Sequence, residues 1–319
     1  MRFKTTIAVL AAAVFLSMSM GCQSLHPFAQ KTRSSLASAR NWASGGLDAF
    51  HNGKLDQAKG LLSQATQQNP RDAAVRANFA RTLQKSGDAQ EALMQMQTAV
   101  ELSHGDPRLR VELGEMHLQT NHPLLAARQA DLALENNQRF APAWVLRGKT
   151  EKSLGKTEKS LGKTENSNRN FEQALASFQR AMSYSNNLPD VEMEIVETYQ
   201  LMQQPMKALA AVEQLLINYP SHDLPETAVI AKGVALINLK QYPPAIDLLQ
   251  AASEKQNPSS DIFVRLSEAQ LLAGRRSDAH STLVRGKSVY PNLAVFTNAL
   301  ENLPSTEQRV ATLIPPLTR

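Results

Sequence analysis

The sequence predicts an all-α protein: an α-solenoid of about seven helix-turn-helix repeats closed by a C-terminal capping helix. Three observations predict it. A unit of 34 residues recurs from residue 39 onward, small residues inside the units fall at helical spacing, and turn signals divide each unit in two. Composition agrees with a folded chain. The 319 residues are 42% hydrophobic and include 2 Trp, 5 Tyr and 10 Phe, enough core material to exclude wholesale disorder. A single Cys excludes an internal disulfide framework and any Cys-cluster metal site. Lys and Arg number 34 against 29 Asp and Glu. Removal of Arg2 and Lys4 with an export signal leaves 32 basic groups, a surplus of three over the acidic ones, too weak to argue for nucleic acid.

The first element is that signal. Met1-Arg2-Phe3-Lys4 is a positive start, and residues 7–20 form an apolar run. Fourteen residues are short for a bilayer, which takes about 20, and match a signal-peptide core. Ser19-Met20-Gly21 then leads into Cys22, the one Cys of the chain. This resembles a bacterial lipoprotein signal peptide, with the small Gly21 before the Cys. It departs from the usual pattern in having Ser19 where Leu is common, with Leu16 further back. The competing reading is an uncleaved anchor, or an ordinary signal peptide with an incidental Cys. The resemblance implies a signal over residues 1–21 and lipid attachment at Cys22. Several acyl chains, at about 0.8 kcal/mol per buried CH₂, hold a protein on a membrane without a transmembrane helix. Gln23 is not the Asp that retains enteric lipoproteins in the inner membrane, so the implied address is the bacterial cell envelope, at the periplasmic face of the outer membrane. Residues 22–38 are polar, contain Pro27, and read as a tether between the lipid and the folded part.

The repeats follow. Units open at Ala39, Ala73, Pro107, Ala141, Pro189, Glu226 and Ser260, giving residues 39–72, 73–106, 107–140, 141–188, 189–222, 226–259 and 260–293. Position 20 of every unit is Ala: Ala58, Ala92, Ala126, Ala174, Ala208, Ala245 and Ala279. Position 27 is small except at Leu215, and position 8 is small except at Val196. The two Trp residues, Trp42 and Trp144, both stand at position 4, and Pro70, Pro220 and Pro291 at position 32. Positions 4, 8 and 11 make one stripe of a first helix, and 20, 24 and 27 one stripe of a second. Small residues at 8, 20 and 27 let the two backbones approach, and bulky ones fill the groove between them. Asn52-Gly53, Ser86-Gly87-Asp88 and Ala273-Gly274 mark turns between the helices. One hairpin cannot bury its apolar face alone, so neighbours stack.

The pattern over residues 39–293 resembles the tetratricopeptide repeat family, whose signature has a bulky residue at 4, small residues at 8, 20 and 27, and Pro near 32. The resemblance implies a non-catalytic protein with a concave groove lined by the first helices, near positions 2, 5, 6, 9, 12 and 13. Carried over, the groove residues are Asn78, Arg81, Lys85, Arg108, Glu112 and Glu115 in units two and three. They are Met193, Glu194 and Glu197 in unit five, and Ile230, Val234 and Ile237 in unit six. A polar half grading into an apolar one suits an extended peptide or a partner helix. The two-carboxylate clamp of chaperone-binding members is poorly matched. This chain offers Ala43, Leu47, Asn78, Arg108 and Glu112 at its five positions, and Glu112 reverses a charge.

Unit four is longer by 14 residues. Residues 148–168 are three near-identical heptads: Gly-Lys-Thr-Glu-Lys-Ser-Leu twice, then Gly-Lys-Thr-Glu-Asn-Ser-Asn. Excising two copies restores a unit of 34, which indicates a tandem duplication, read here as lying inside the first helix. Lys149, Lys152, Lys156, Lys159 and Lys163 then share a stripe where like charges repel, and Gly155 and Gly162 each weaken a helix by about 1 kcal/mol. The expectation is a protruding, marginal helix or loop with a positive tip, either a neutral expansion or a contact for anionic lipid, polysaccharide or an acidic partner. Residues 294–319 are expected to supply the capping helix, through Leu293, Val295, Phe296, Ala299, Leu300 and Leu303, and a tail.

Reactive chemistry is sparse. Gly155-Lys156-Thr157 and Gly162-Lys163-Thr164 resemble the end of a phosphate-binding loop, but the spacing is wrong and no strand precedes them, so no nucleotide is expected. His117, His122 and Glu115 are the nearest approach to a metal cluster and lack ligand spacing. No nucleophile elbow occurs, and no cofactor or metal is expected. The expected partners are proteins or peptides of the cell envelope, with the membrane reached through acylated Cys22. The chain looks like repeat lipoproteins that help assemble outer-membrane machines such as pili or secretion channels. The alternative is a regulatory accessory that recruits an envelope enzyme such as a peptidoglycan hydrolase.

Overall fold

The computed structural model describes residues 26–185, 188–220 and 224–303. Fifteen α-helices, and no strand, occur among the described residues. The chain divides into two compact units, Met1–Leu146 and Arg147–Arg319.

The first unit holds α1 (His26–His51), α2 (Leu55–Gln68), α3 (Ala73–Lys85), α4 (Ala89–Leu102), α5 (Pro107–Gln119) and α6 (Pro123–Asn136). α7 (Ala141–Ser160) begins in it and ends in the second unit. Helices pair as antiparallel hairpins, and the second helix of one hairpin packs on the first helix of the next. Leu62, Ala80, Leu83, Met96, Ala99 and Leu113 are fully buried in one cluster. Ala126, Ala130, Ala133 and Leu146 are fully buried in another. Asp72 opens α3 by accepting from the backbone N–H groups of Ala74 and Val75, each at 3.1 Å.

The second unit continues with α8 (Thr164–Tyr184), α9 (Pro189–Leu201), α10 (Pro205–Leu216), α11 (Glu226–Asn238), α12 (Tyr242–Ser253), α13 (Ser260–Leu272), α14 (Arg276–Val289) and α15 (Ala294–Glu301). Val196, Val212, Leu215 and Ala228 form one interior cluster, and Leu249, Leu266 and Ala269 belong to the next. α15 closes the unit. Its Phe296 is fully buried, edge-on to Phe263 and stacked on Tyr290, with ring centroids 6.4 Å apart in both cases. Tyr290 Oη donates to the carbonyl of Pro258 at 2.7 Å, which fixes the ring.

One local device ends the first helix of every hairpin described. Gly53, Gly87, Asn121, Gly162, Gln203, Lys240 and Gly274 all have φ between 57° and 88°. In each case the next residue's N–H returns to the carbonyl five residues earlier, as Asp88 does to Leu83 at 2.9 Å and Arg275 to Gln270 at 2.8 Å. This is the Schellman closure, which satisfies helix-end carbonyls through a left-handed residue. Close helix approach has an equally simple cause. A Cβ on Gly46 would stand 2.7 Å from Leu62 Cγ, and one on Gly233 would stand 3.0 Å from Leu249. The small position 8 thus receives the bulky position 24 of its own hairpin.

Two expectations are corrected. The polar stretch read as a tether is helical from His26 onward, so residues 26–38 form the front of α1. Cys22, the signal over residues 1–21 and the tail over residues 304–319 lie outside the described residues.

The heptads of residues 148–168 are also placed differently. They form neither a loop nor an extension of one helix. α3, α5, α9, α11 and α13 each have 13 residues, whereas α7 has 20. α2, α4, α6 and α14 have 14 residues, whereas α8 has 21. The 14 extra residues are shared equally, one heptad to each helix. Seven residues turn a helix by about 700°, some 20° short of two turns, so each side keeps its inward face. The contact pattern is copied with them. Gly148 abuts the ring of Phe178, and one heptad on Gly155 abuts Phe171, both rings being fully buried. Ser167 Oγ donates to the carbonyl of Gly155 at 2.9 Å. Gly155, which would weaken an isolated helix, is here the seat of an aromatic ring, and Gly162 closes the turn between α7 and α8 with φ 74°.

Candidate protein-interaction site

The site residues expected from the sequence lie on the first helices of the hairpins, and the structure treats the two units differently. In the first unit, Arg81 on α3 donates from Nε and Nη2 to the two carboxylate oxygens of Glu112 on α5, each at 2.7 Å. Arg81 also donates to Asn78 Oδ1 at 2.5 Å. These three residues are brought together, but their hydrogen-bonding capacity is spent largely on one another. Both ionic partners are about one-third exposed, so the pair adds about 0–1 kcal/mol and chiefly fixes geometry. Gln84 donates to Gln119 at 2.5 Å and continues the link between α3 and α5. Lys85 is exposed and stands over the Phe50 ring at 4.4 Å. Arg108 is exposed at the start of α5, and Glu115 is partly buried and already engaged.

In the second unit, Glu194 and Glu197 on α9 are held by Lys152, a residue the sequence reading placed on a solvated stripe. Lys152 is only 7% exposed and binds both carboxylates, that of Glu197 at 2.9 Å. Burial pulls its pKa down, but the two carboxylates outweigh burial and hold it above the ordinary lysine value. The stripe of repelling lysines is therefore broken up: Lys152 faces inward, Lys159 donates to the carbonyl of Leu201 at 2.5 Å, and Lys163 lies 3.5 Å from Glu158. Ile237, expected in the groove, is a core residue. Met193 and Ile230 are partly buried against core clusters, whereas Val234 stays at the surface of the groove.

A cavity of about 650 Å³ opens among these first helices. Lys156 and Lys159 come from α7, Glu197 and Gln200 from α9, Val234 and Asn238 from α11, and Arg265 from α13. The sequence reads Lys152, Lys156 and Lys159 as part of a positive stripe, either a neutral expansion or a contact for an anionic partner, and not as groove residues. It does not select Arg265 at all. No group of three or more His, Cys, Asp or Glu suited to a metal occurs among the described residues. Gly155-Lys156-Thr157 lies within α7, and Gly162-Lys163-Thr164 forms the turn that leads into α8.

A sequence model described as Tetratricopeptide repeat matches residues 49–110, across α2, α3 and α4. Residues 49–110 carry tetratricopeptide repeats. The TPR-like fold of the chain extends well beyond the matched segment. A tetratricopeptide repeat protein from Parabacteroides merdae superimposes with a TM-score of 0.64 over 83% of this chain and 98% of that one, at 14% identity. PilW, a widely conserved type IV pilus biogenesis factor, superimposes with a TM-score of 0.61 over 72% of this chain and 98% of its own, also at 14% identity. No curated protein matches the chain in sequence. At 14% identity these structural likenesses concern the fold. None of the helices among the described residues is long and apolar enough to cross a membrane.

Proposed function

We propose that the chain is a non-catalytic scaffold, tethered to the bacterial envelope through an acylated Cys22, that binds extended peptides or partner helices along the first helices of its TPR hairpins. Its role in this reading is the assembly of an envelope complex. The observation that carries it is the cavity of about 650 Å³ among α7, α9, α11 and α13, whose wall mixes apolar, amide and charged side chains. Such a wall suits a main chain with its side groups better than a compact metabolite. In the first unit, Lys85 and Arg108 supply exposed cations beside the Arg81–Glu112 network. PilW, named as a type IV pilus biogenesis factor, is an example of a similar fold, by this reading in a protein of envelope assembly. Attachment rests on the sequence of residues 1–22 alone.

Crosslinking in the intact envelope, followed by mass spectrometry, tests the function. Subunits of a channel or pilus among the captured proteins support assembly; capture of a peptidoglycan hydrolase alone replaces it with the accessory reading. Attachment has a separate test. Radiolabelled palmitate should enter the wild type and not Cys22→Ala, and equal labelling of both removes the lipid anchor.

A further inference from the structure

The heptad that lengthens α7 does more than add length. A first helix of 13 residues from Ala141 would end at Ser153, so Lys156 and Lys159 exist as a wall of the cavity only because of the added heptad. Both are exposed, and neither is neutralised. Lys156 has no carboxylate within ion-pair distance among the described residues, and Lys159 donates to a carbonyl, which offsets no charge. The other charged groups of the wall are committed. Glu197 is bound to Lys152, and Arg265 is paired with Glu268 at 2.7 Å. The wall of the cavity therefore presents the ammonium groups of Lys156 and Lys159 together with the apolar Val234 and the amide of Asn238. With Arg265–Glu268 neutral and one surplus negative charge on the Lys152–Glu194–Glu197 cluster, its net charge stays positive.

We propose that this cavity binds an extended acidic segment of a partner protein, with its carboxylates on Lys156 and Lys159 and its main chain along Asn238. The assignment deepens the scaffold reading and rests on it. Carboxylates are favoured because charge-assisted bonds to ammonium groups are the strong ones, and because Lys152 already shows this element holding two carboxylates side by side. A concave wall formed by several helices fits a chain, whereas a bilayer surface needs a flat or convex basic face.

Fluorescence anisotropy with the full chain tests this, using a labelled ten-residue Gly-Glu alternating peptide and its Gly-Lys counterpart. The acidic peptide should bind and the basic one should not, with affinity falling as salt is raised. Lys156→Glu combined with Lys159→Glu should weaken binding at least tenfold while the circular dichroism spectrum is kept. The charge-matched control Arg139→Glu with Lys255→Glu should bind as the wild type does. Equal binding of both peptides, or unaltered binding by the double lysine variant, overturns the proposal. So does sedimentation with phosphatidylglycerol vesicles that depends on the same lysines and is not competed by the acidic peptide. Failure here would leave crosslinked envelope partners in place, whereas failure of the scaffold reading would remove those partners altogether.

Discussion

Gly155 is the seat of the Phe171 ring: a Cβ added to the glycine would stand 2.6 Å from Cε1 of a side chain that is fully buried. The position therefore opposes two physical effects. Alanine gains about 1 kcal/mol of helix propensity over glycine, while overpacking a filled core costs about 1–3 kcal/mol. Gly155→Ala should be destabilising by about 1 kcal/mol net, because the buried ring cannot swing away. Gly60, on α2, is the contrast, since nothing lies within 4 Å of its added Cβ. Gly60→Ala should stabilise by about 0.5–1 kcal/mol. Urea unfolding followed by circular dichroism compares the two, and equal signs would contradict the packing described.

Lys152 ties the lengthened hairpin to the next one through Glu194 and Glu197. Lys152→Met should lower stability by about 1–3 kcal/mol, less than a fully enclosed pair, because Glu197 keeps half of its side-chain surface in water. The loss arises from two carboxylates left facing each other. Glu194→Gln added to Lys152→Met should therefore restore part of it. A double-mutant cycle reads that coupling, and strict additivity would place the ion cluster outside the fold's stability.

The left-handed turn residues supply a backbone test. Lys240 has φ 61°, where a Cβ costs about 1–2 kcal/mol, and its side chain is exposed. Lys240→Gly should gain about 0.5–1 kcal/mol after the added freedom of the unfolded chain is subtracted. Gly274, at φ 77° with open space around it, should lose about 1 kcal/mol on conversion to Ala. Thermal unfolding of the two variants measures opposite shifts of melting temperature.

His117 gives a pH dependence. Burial lowers its pKa, the neighbouring His122 lowers it further, and its Nδ1 is buried without a hydrogen-bond partner among the described residues. The unfolded chain therefore takes up the proton more readily than the folded one. This group costs nothing above about pH 7. Its penalty grows as pH falls through the unfolded value of about 6.5 toward the lower folded value, and is constant below that. His117→Gln should flatten that part of the stability curve between about pH 7 and pH 5, measured by urea midpoint. An unchanged slope would mean that His117 stays solvated.

The helical architecture was legible in residues 39–293 because the small positions carry steric information that survives without any alignment: Gly46 and Gly233 can be read as close-approach sites before their leucines are known. The left-handed turns were half legible. Gly53, Gly87 and Gly274 announce themselves, whereas Asn121, Gln203 and Lys240 take the same backbone shape under a neighbour-imposed closure that no propensity reveals. The heptads were misplaced for a similar reason. Helix penalties at Gly155 and charge repulsion along the lysines are local quantities, and both are reversed by partners on other helices: Phe171 for the glycine, and Glu194 and Glu197 for Lys152. Arg81 and Glu112 were read as groove residues, and both are partly exposed on first helices. Their mutual saturation depends on the spacing of neighbouring hairpins, which a linear pattern does not contain.

The even division of the duplicated heptads between α7 and α8 imposes a parity rule on this arm. Copies acquired in pairs lengthen both sides by whole double turns and renew the same ring-on-glycine rungs. A lone copy would have to lodge on one side, leaving an unmatched overhang, or be cut mid-turn and rotate the seam outward. Arms of 34, 48 or 62 residues are thus permitted steps, whereas 41 and 55 are frustrated, and reach at the tip can evolve only in even strides.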